Sequence, residues 1–109
     1  MPRELITDDP DHEKDIELRL KQVIDPELMV DVWNLGLIYK VTVKEKKAVV
    51  EMTLTSPNCP TSEQLFHWVW HVLTKADYID ECKVELVWDP IWDATQMTEI
   101  AQLQTGFML

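Results

Sequence analysis

The stretch of this chain best suited to chemistry is Thr55-Ser56-Pro57-Asn58-Cys59-Pro60-Thr61-Ser62-Glu63-Gln64-Leu65. Alternating apolar residues stop at Thr55, and helical spacing begins near Thr61. Proline is tolerated at the first helical position, where its missing N–H would be unpaired anyway. Cys59-Pro60 therefore puts the cysteine at or just before a helix N-terminus, at the exit of a strand. Unpaired backbone N–H groups converge at such a place, and the helix dipole is positive there. Both effects favour thiolate over thiol, and the thiolate is the nucleophile and the metal ligand. A nucleophilic cysteine usually needs a base. His67 lies two turns along the helix and His12 is remote in sequence, so an enzyme is not expected.

Other candidate ligands carry less. Cys82 opens a strand whose inward positions include Val84 and Leu86, which reads as packing. A Cys59–Cys82 disulfide stays open at this level. His67 and His71 stand four apart on one side of a helix, a spacing that suits zinc. Their segment lacks the glutamate of a metalloprotease helix, and both fall beside the packing stripe. They read as a solvated or interface pair.

The elements that hold these residues follow from periodicity and punctuation. Residues 1–9 form a flexible N-terminus. Asp9 and Pro10 open a helix that runs from about Pro10 to Ile24, with Ile16, Leu20, Val23 and Ile24 on one face. Pro26 ends it. The loop from Asp25 to Leu37 is unusually apolar and should pack against the body; Gly36 marks a backbone position that a side chain would not fit. Leu37 to Lys44 and Ala48 to Thr55 alternate about a charged turn, an antiparallel hairpin with one wet face. In the first of these strands, Ile38 falls on the polar face with Lys40 and Thr42. Leu65, Trp68, Val69, Val72 and Leu73 stripe a second helix from about Thr61 to Lys75. A third strand ends at Asp89-Pro90, and a loop and short helix run to Gly106. The order α-β-β-α-β predicts an α+β two-layer domain: a small three-stranded mixed sheet with helices on one face, plus a C-terminal loop and short helix.

Composition narrows the function classes. A chain of 109 residues makes one domain. No run of about 18 uncharged apolar residues spans a membrane. An acidic N-terminus argues against a signal peptide, and two cysteines make no disulfide framework, so the cytoplasm is expected. A net charge of −10 disfavours nucleic acid, which is bound by clustered Lys and Arg. Five tryptophans are many for this length, and tryptophan is enriched at interfaces.

Four blocks now stand in order: Asp25-Pro26-Glu27; Leu35-Gly36-Leu37-Ile38-Tyr39; Met52-Thr53-Leu54-Thr55-Ser56 through Cys59-Pro60; and Val87-Trp88-Asp89-Pro90-Ile91-Trp92. Together they resemble the MIP18 (DUF59) family, which includes SufT-like iron–sulfur assembly factors. The resemblance covers nearly the whole chain after the first dozen residues. Pro90-Ile91-Trp92 departs from the Pro-Pro-Trp of many members. The cysteine-bearing tail of the phenylacetate-degradation branch is absent, and no Gly-rich phosphate loop is present, so any ATPase is a separate protein.

The resemblance implies a SUF-type role in maturing iron–sulfur proteins, with Cys59 as the functional cysteine and metal ligand. Asp25, Glu27, Thr55 and Ser56 are its supporting residues. The implied cargo is a transient iron–sulfur cluster or iron, and the implied partners are iron–sulfur assembly proteins and apo client proteins. Clusters take about four thiolates, so Cys59 needs a second subunit or a cysteine-bearing partner; a homodimer fits this and the tryptophan load. Two readings of Asp25 and Glu27 stay open: a local turn in which Asp25 accepts backbone N–H groups, and a carboxylate placed near Cys59. Thr55 and Ser56 can hydrogen-bond the loop backbone and hold the Cys59 turn. The competing function is a protein-interaction adaptor of the same fold, in which Trp92, Trp33 and the apolar tail recruit clients and Cys59 only packs.

Overall fold

The computed structural model describes residues 4–26, 28–54, 62–88 and 92–106. Along the chain these form β1 (Glu4–Thr7), α1 (His12–Leu20), β2 (Ile24–Asp25), β3 (Val30–Asp31), β4 (Ile38–Lys44), β5 (Lys47–Met52), α2 (Ser62–Thr74), β6 (Glu81–Leu86), a 3-10 turn (Ala94–Gln96) and α3 (Glu99–Thr105). The main sheet has the order β1-β4-β5-β6, and β2 and β3 pair as a separate two-stranded ladder. The α+β two-layer class holds. The main sheet gains a fourth strand because Glu4–Thr7, expected within a flexible terminus, pairs in parallel with Lys40–Val43. Leu5 thereby reaches the core beside Val41.

Both parallel pairs, β1 with β4 and β5 with β6, are joined by chain that contains a helix, as a parallel connection requires. Ile16 and Leu20 of α1 and Leu65, Val69 and Leu73 of α2 meet Val41, Val43, Val50 and Met52 of the sheet in one core. Helix α1 stops at Leu20, short of the expected Ile24. Pro26 disfavours the helical conformation at Asp25, and extended backbone already begins at Ile24, where β2 pairs with β3.

The β4–β5 hairpin turns through Glu45 and Lys46, both in the left-handed region at φ 51° and 65°. A two-residue turn of that kind matches strand twist. It is buttressed from outside: the Glu45 N–H donates to Asp8 Oδ2 at 2.8 Å, and the Lys46 carbonyl accepts from Asp80 N at 2.7 Å. Farther along, the ladder slips between Ile38 and Lys40. Strict alternation assigns Ile38 to the wet face, but the slip pairs it with Met52 and buries it in the core. A bulge of this kind re-aims side chains, which strict alternation from the sequence does not anticipate.

The apolar loop packs as expected, with Val30, Val32 and Leu35 buried; Met29, at φ 59°, is 73 % exposed. The segment after Trp92 straps onto it. The Trp92 indole N–H donates to the Leu35 carbonyl at 2.7 Å, and Thr98 N donates to the Asn34 carbonyl at 2.8 Å. The Thr98 hydroxyl meets Asn34 Oδ1 at 2.9 Å and caps α3 by accepting from Ala101 N.

Thr53, just beyond β5, is fully buried, and its hydroxyl finds no hydrogen-bond partner among the described residues. A buried, unsatisfied hydroxyl costs about 1–3 kcal/mol. Thr53→Val, which keeps the shape and removes that group, should raise stability by about 1 kcal/mol. Urea or thermal melting of the two proteins checks this, and a lower midpoint for the valine variant would show that the hydroxyl is satisfied in solution.

Candidate functional site

The frame around the cysteine loop is built from three elements. Leu54, buried, ends the chain that leaves β5. Ser62 begins α2, within one residue of the predicted start. Cys59, Thr55 and Ser56 lie between them, outside the described residues, as does Glu27. The loop therefore runs from a strand exit into the N-terminal end of a thirteen-residue helix, where the first N–H groups have no intrahelical partner.

The third element is the turn that carries Asp25. It is 1 % exposed. Its Oδ1 accepts from Leu28 N at 3.1 Å, and its carbonyl accepts from Met29 N at 2.7 Å. The local reading of this carboxylate, acceptance of backbone N–H groups in a turn, is thus present. The turn also lies against the first turns of α2. Ile24 and Pro26, on either side of Asp25, line a pocket of about 60 Å³ together with Gln64, Leu65 and Trp68 from the first turns of α2. Residues some forty positions apart in sequence meet there.

Cys82 sits on β6 opposite Ala48, half-buried and with a free thiol. Burial pushes that thiol up to about 11. It stays protonated at neutral pH, a poor nucleophile and a poor ligand. This agrees with a packing role and leaves Cys59 as the chain's other thiol.

A polar cluster that periodicity did not reveal lies at the opposite end of the helix pair. The Tyr78 hydroxyl donates to Asp15 Oδ2 at 2.5 Å, and Arg19 Nε donates to the same oxygen at 2.7 Å. Arg19 also donates to the Val72 carbonyl, in the last turns of α2. Burial raises the Asp15 carboxyl, but the bonds from Tyr78 and Arg19 outweigh it and hold the group below the usual carboxylate range. Burial and the neighbouring Asp15 push Tyr78 up to about 12. The His12 ring stacks on Tyr78 with centroids 3.6 Å apart. These contacts tie α1 to α2 and hold the helix that the cysteine loop enters. Only the four-residue spacing of Asp15 and Arg19 signals the cluster in the sequence.

The tryptophans divide differently from expectation. Trp33 is buried, and the Trp92 indole is committed to Leu35. Trp68, Trp70 and Trp88 are the ones that reach solvent. The face on offer to a partner is therefore the outside of α2 and the end of β6. No helix among the described residues is long and apolar enough to cross a membrane.

With this geometry in hand, known proteins locate the chain. The sequence profile of a family described as iron–sulfur cluster assembly protein matches residues 13–85. The Fe-S protein maturation auxiliary factor SufT of Staphylococcus aureus is 42 % identical over 85 residues, spanning 77 % of this chain and 97 % of that protein. A Fe-S protein maturation auxiliary factor of Porphyromonas gingivalis is 39 % identical over 97 residues, 88 % of this chain and 92 % of the relative. A Bacillus anthracis crystal structure of a domain of unknown function, DUF59, superposes with a TM-score of 0.83 at 38 % identity, covering 90 % of this chain and 94 % of that one. The matched range takes in α1, the Asp25 turn, the hairpin, the Cys59 segment and α2. This chain belongs to the iron–sulfur cluster assembly protein family.

Proposed function

We propose that this chain is a maturation factor for iron–sulfur proteins, passing a cluster, iron or sulfur to apo clients through the Cys59 thiolate. The observation that carries the reading is the match to maturation auxiliary factors along nearly their whole length. Two described features are consistent with it: α2 begins just after the Cys59 segment in the chain, and the residues flanking the buried Asp25 share a pocket with the first turns of α2. A helix N-terminus lowers the pKa of a nearby thiol and so favours the form that binds iron. In this reading the acidic Asp25-Pro26-Glu27 segment is the supporting source of carboxylate oxygen for the Cys59 thiolate.

The cluster is cargo, and Cys59 is one of its ligands. About four thiolates hold a cluster, so the remaining ones come from a second copy or from an assembly partner. Ligand exchange alone moves such a cargo, and the factor acts as a carrier in the cytoplasm rather than as an enzyme.

Anaerobic reconstitution with iron and sulfide tests the proposal. Wild type should retain iron in an assembly larger than one chain, read by metal analysis and light scattering. Cys59→Ala should retain about a tenth of that iron or less, since losing a ligating thiolate removes an iron–sulfur bond outright. Equal iron on both proteins would end the cysteine-centred mechanism and leave the adaptor reading, now resting on Trp68 and Trp70.

A further inference from the structure

We propose that the solvent face of α2 carries a second metal site, made by His67 and His71, for a borderline divalent transition metal such as Zn(II) or Cu(II). It is separate from Cys59 and does not rest on the proposed function. The two histidines are four residues apart on a regular helix, so both rings emerge on one side, one turn apart. Both are exposed. Their rings lie 26° from parallel with centroids 6.5 Å apart. Together with Gln64 and Trp68 they line an open groove of about 330 Å³.

Among the described residues, no hydrogen bond or ion pair engages either imidazole; their recorded partners are each other and the Trp70 ring, stacked on His67 at 5.6 Å. Nitrogen lone pairs are therefore available without breaking anything. Metal–nitrogen bonds of about 2.0–2.1 Å put the centroids of a two-histidine chelate roughly 5–6 Å apart. The stacked rings must rotate about their side-chain bonds to bring one nitrogen of each to a common point, which exposed side chains are free to do. No third His, Cys, Asp or Glu among the described residues completes the set, so water fills the remaining positions.

Selectivity follows from the donors. Imidazole suits copper, nickel and zinc, and ferrous iron ranks below all three for a given nitrogen site. The groove thus discriminates against the iron that Cys59 is proposed to handle. A net charge of −10 raises the local cation concentration.

The test is calorimetric titration of Zn(II), and separately Cu(II), into the full chain carrying Cys59→Ala, which removes the loop thiol from the competition. Tryptophan fluorescence gives a second readout, because bound Cu(II) quenches Trp68 and Trp70 beside the site. One ion per chain should bind. His67→Gln or His71→Gln should weaken binding about a hundredfold, because losing one arm of a two-point chelate forfeits its effective-concentration gain. Both substitutions are at exposed positions, and unchanged circular dichroism confirms the fold. Binding that survives either His→Gln change, or that fails to appear in the Cys59→Ala chain, overturns the proposal.

Discussion

Cells that depend on a Cys59→Ala variant should mature their iron–sulfur enzymes no better than cells without the protein, while Cys82→Ala should leave maturation intact. The two thiols differ in setting. Cys82 lies in the β-sheet at the Ala48 register, and burial holds its pKa near about 11. At neutral pH it is a thiol, with little to offer iron or a persulfide donor. Cys59 falls in sequence between Leu54 and Ser62, outside the described residues, and the proposal is that it reacts as a thiolate ahead of the N-terminal end of α2. The measurement is the activity of an iron–sulfur enzyme in extracts, with immunoblotting to show equal amounts of factor. Normal maturation with Cys59→Ala would transfer the function to the surface, leaving Cys59 as packing. Loss with Cys82→Ala alone, at equal abundance, would make the buried thiol the functional one.

The second large effect is structural. Gly36→Ala should destabilise the chain by about 3 kcal/mol or more, from two causes that add. Gly36 sits at φ +78°, where an L side chain costs roughly 1–2 kcal/mol. A Cβ there would also stand 2.3 Å from the Gln96 carbonyl oxygen. That neighbour is backbone, so relief requires moving the strap that Trp92 and Thr98 pin to Leu35 and Asn34; overpacking of this kind typically costs about 1–3 kcal/mol. Domains are stable by only about 5–15 kcal/mol. Gly106→Ala is the control. Gly106 shares the left-handed conformation, at φ +80°, but nothing lies within 4 Å of its would-be Cβ, so only the conformational cost of roughly 1–2 kcal/mol applies. Chemical denaturation should rank the two variants in that order. Hydrogen exchange should show the Gly36 variant loosening first along residues 92–106. Equal effects would mean that the strap yields freely.

Much of the frame was legible in the sequence because its signals are local. Period-two alternation marked β4 and β5, and helical spacing marked α2 to within a residue, whereas α1 ends at Leu20, four residues before the end expected from Pro26. Gly36 announced a close approach, though not that Gln96, sixty residues away, makes it. The family was legible as four short blocks in order, because each block is contiguous; the Cys59 segment that the proposal rests on lies outside the described residues. What escaped were features that one segment cannot specify alone. Glu4–Thr7 is a strand only because β4 offers it an edge. Ile38 is core only because the β4–β5 ladder slips beside it. Trp92 reads as a partner hook until the Leu35 carbonyl takes its N–H.

The sequence by itself determined the helix and strand periods, the cysteine at a strand-to-helix corner, the acidic turn and the family resemblance. Tertiary structure alone decided that the Asp25 turn shares a pocket with the first turns of α2, that Trp33 and Trp92 pack while Trp68 and Trp70 face solvent, and that the thiol of Cys82 is held protonated. The division has one physical cause. Backbone periodicity and turn chemistry are set by neighbours a few residues apart, whereas burial, hydrogen-bond partners and the pKa of a thiol depend on groups that only folding brings within a few ångströms.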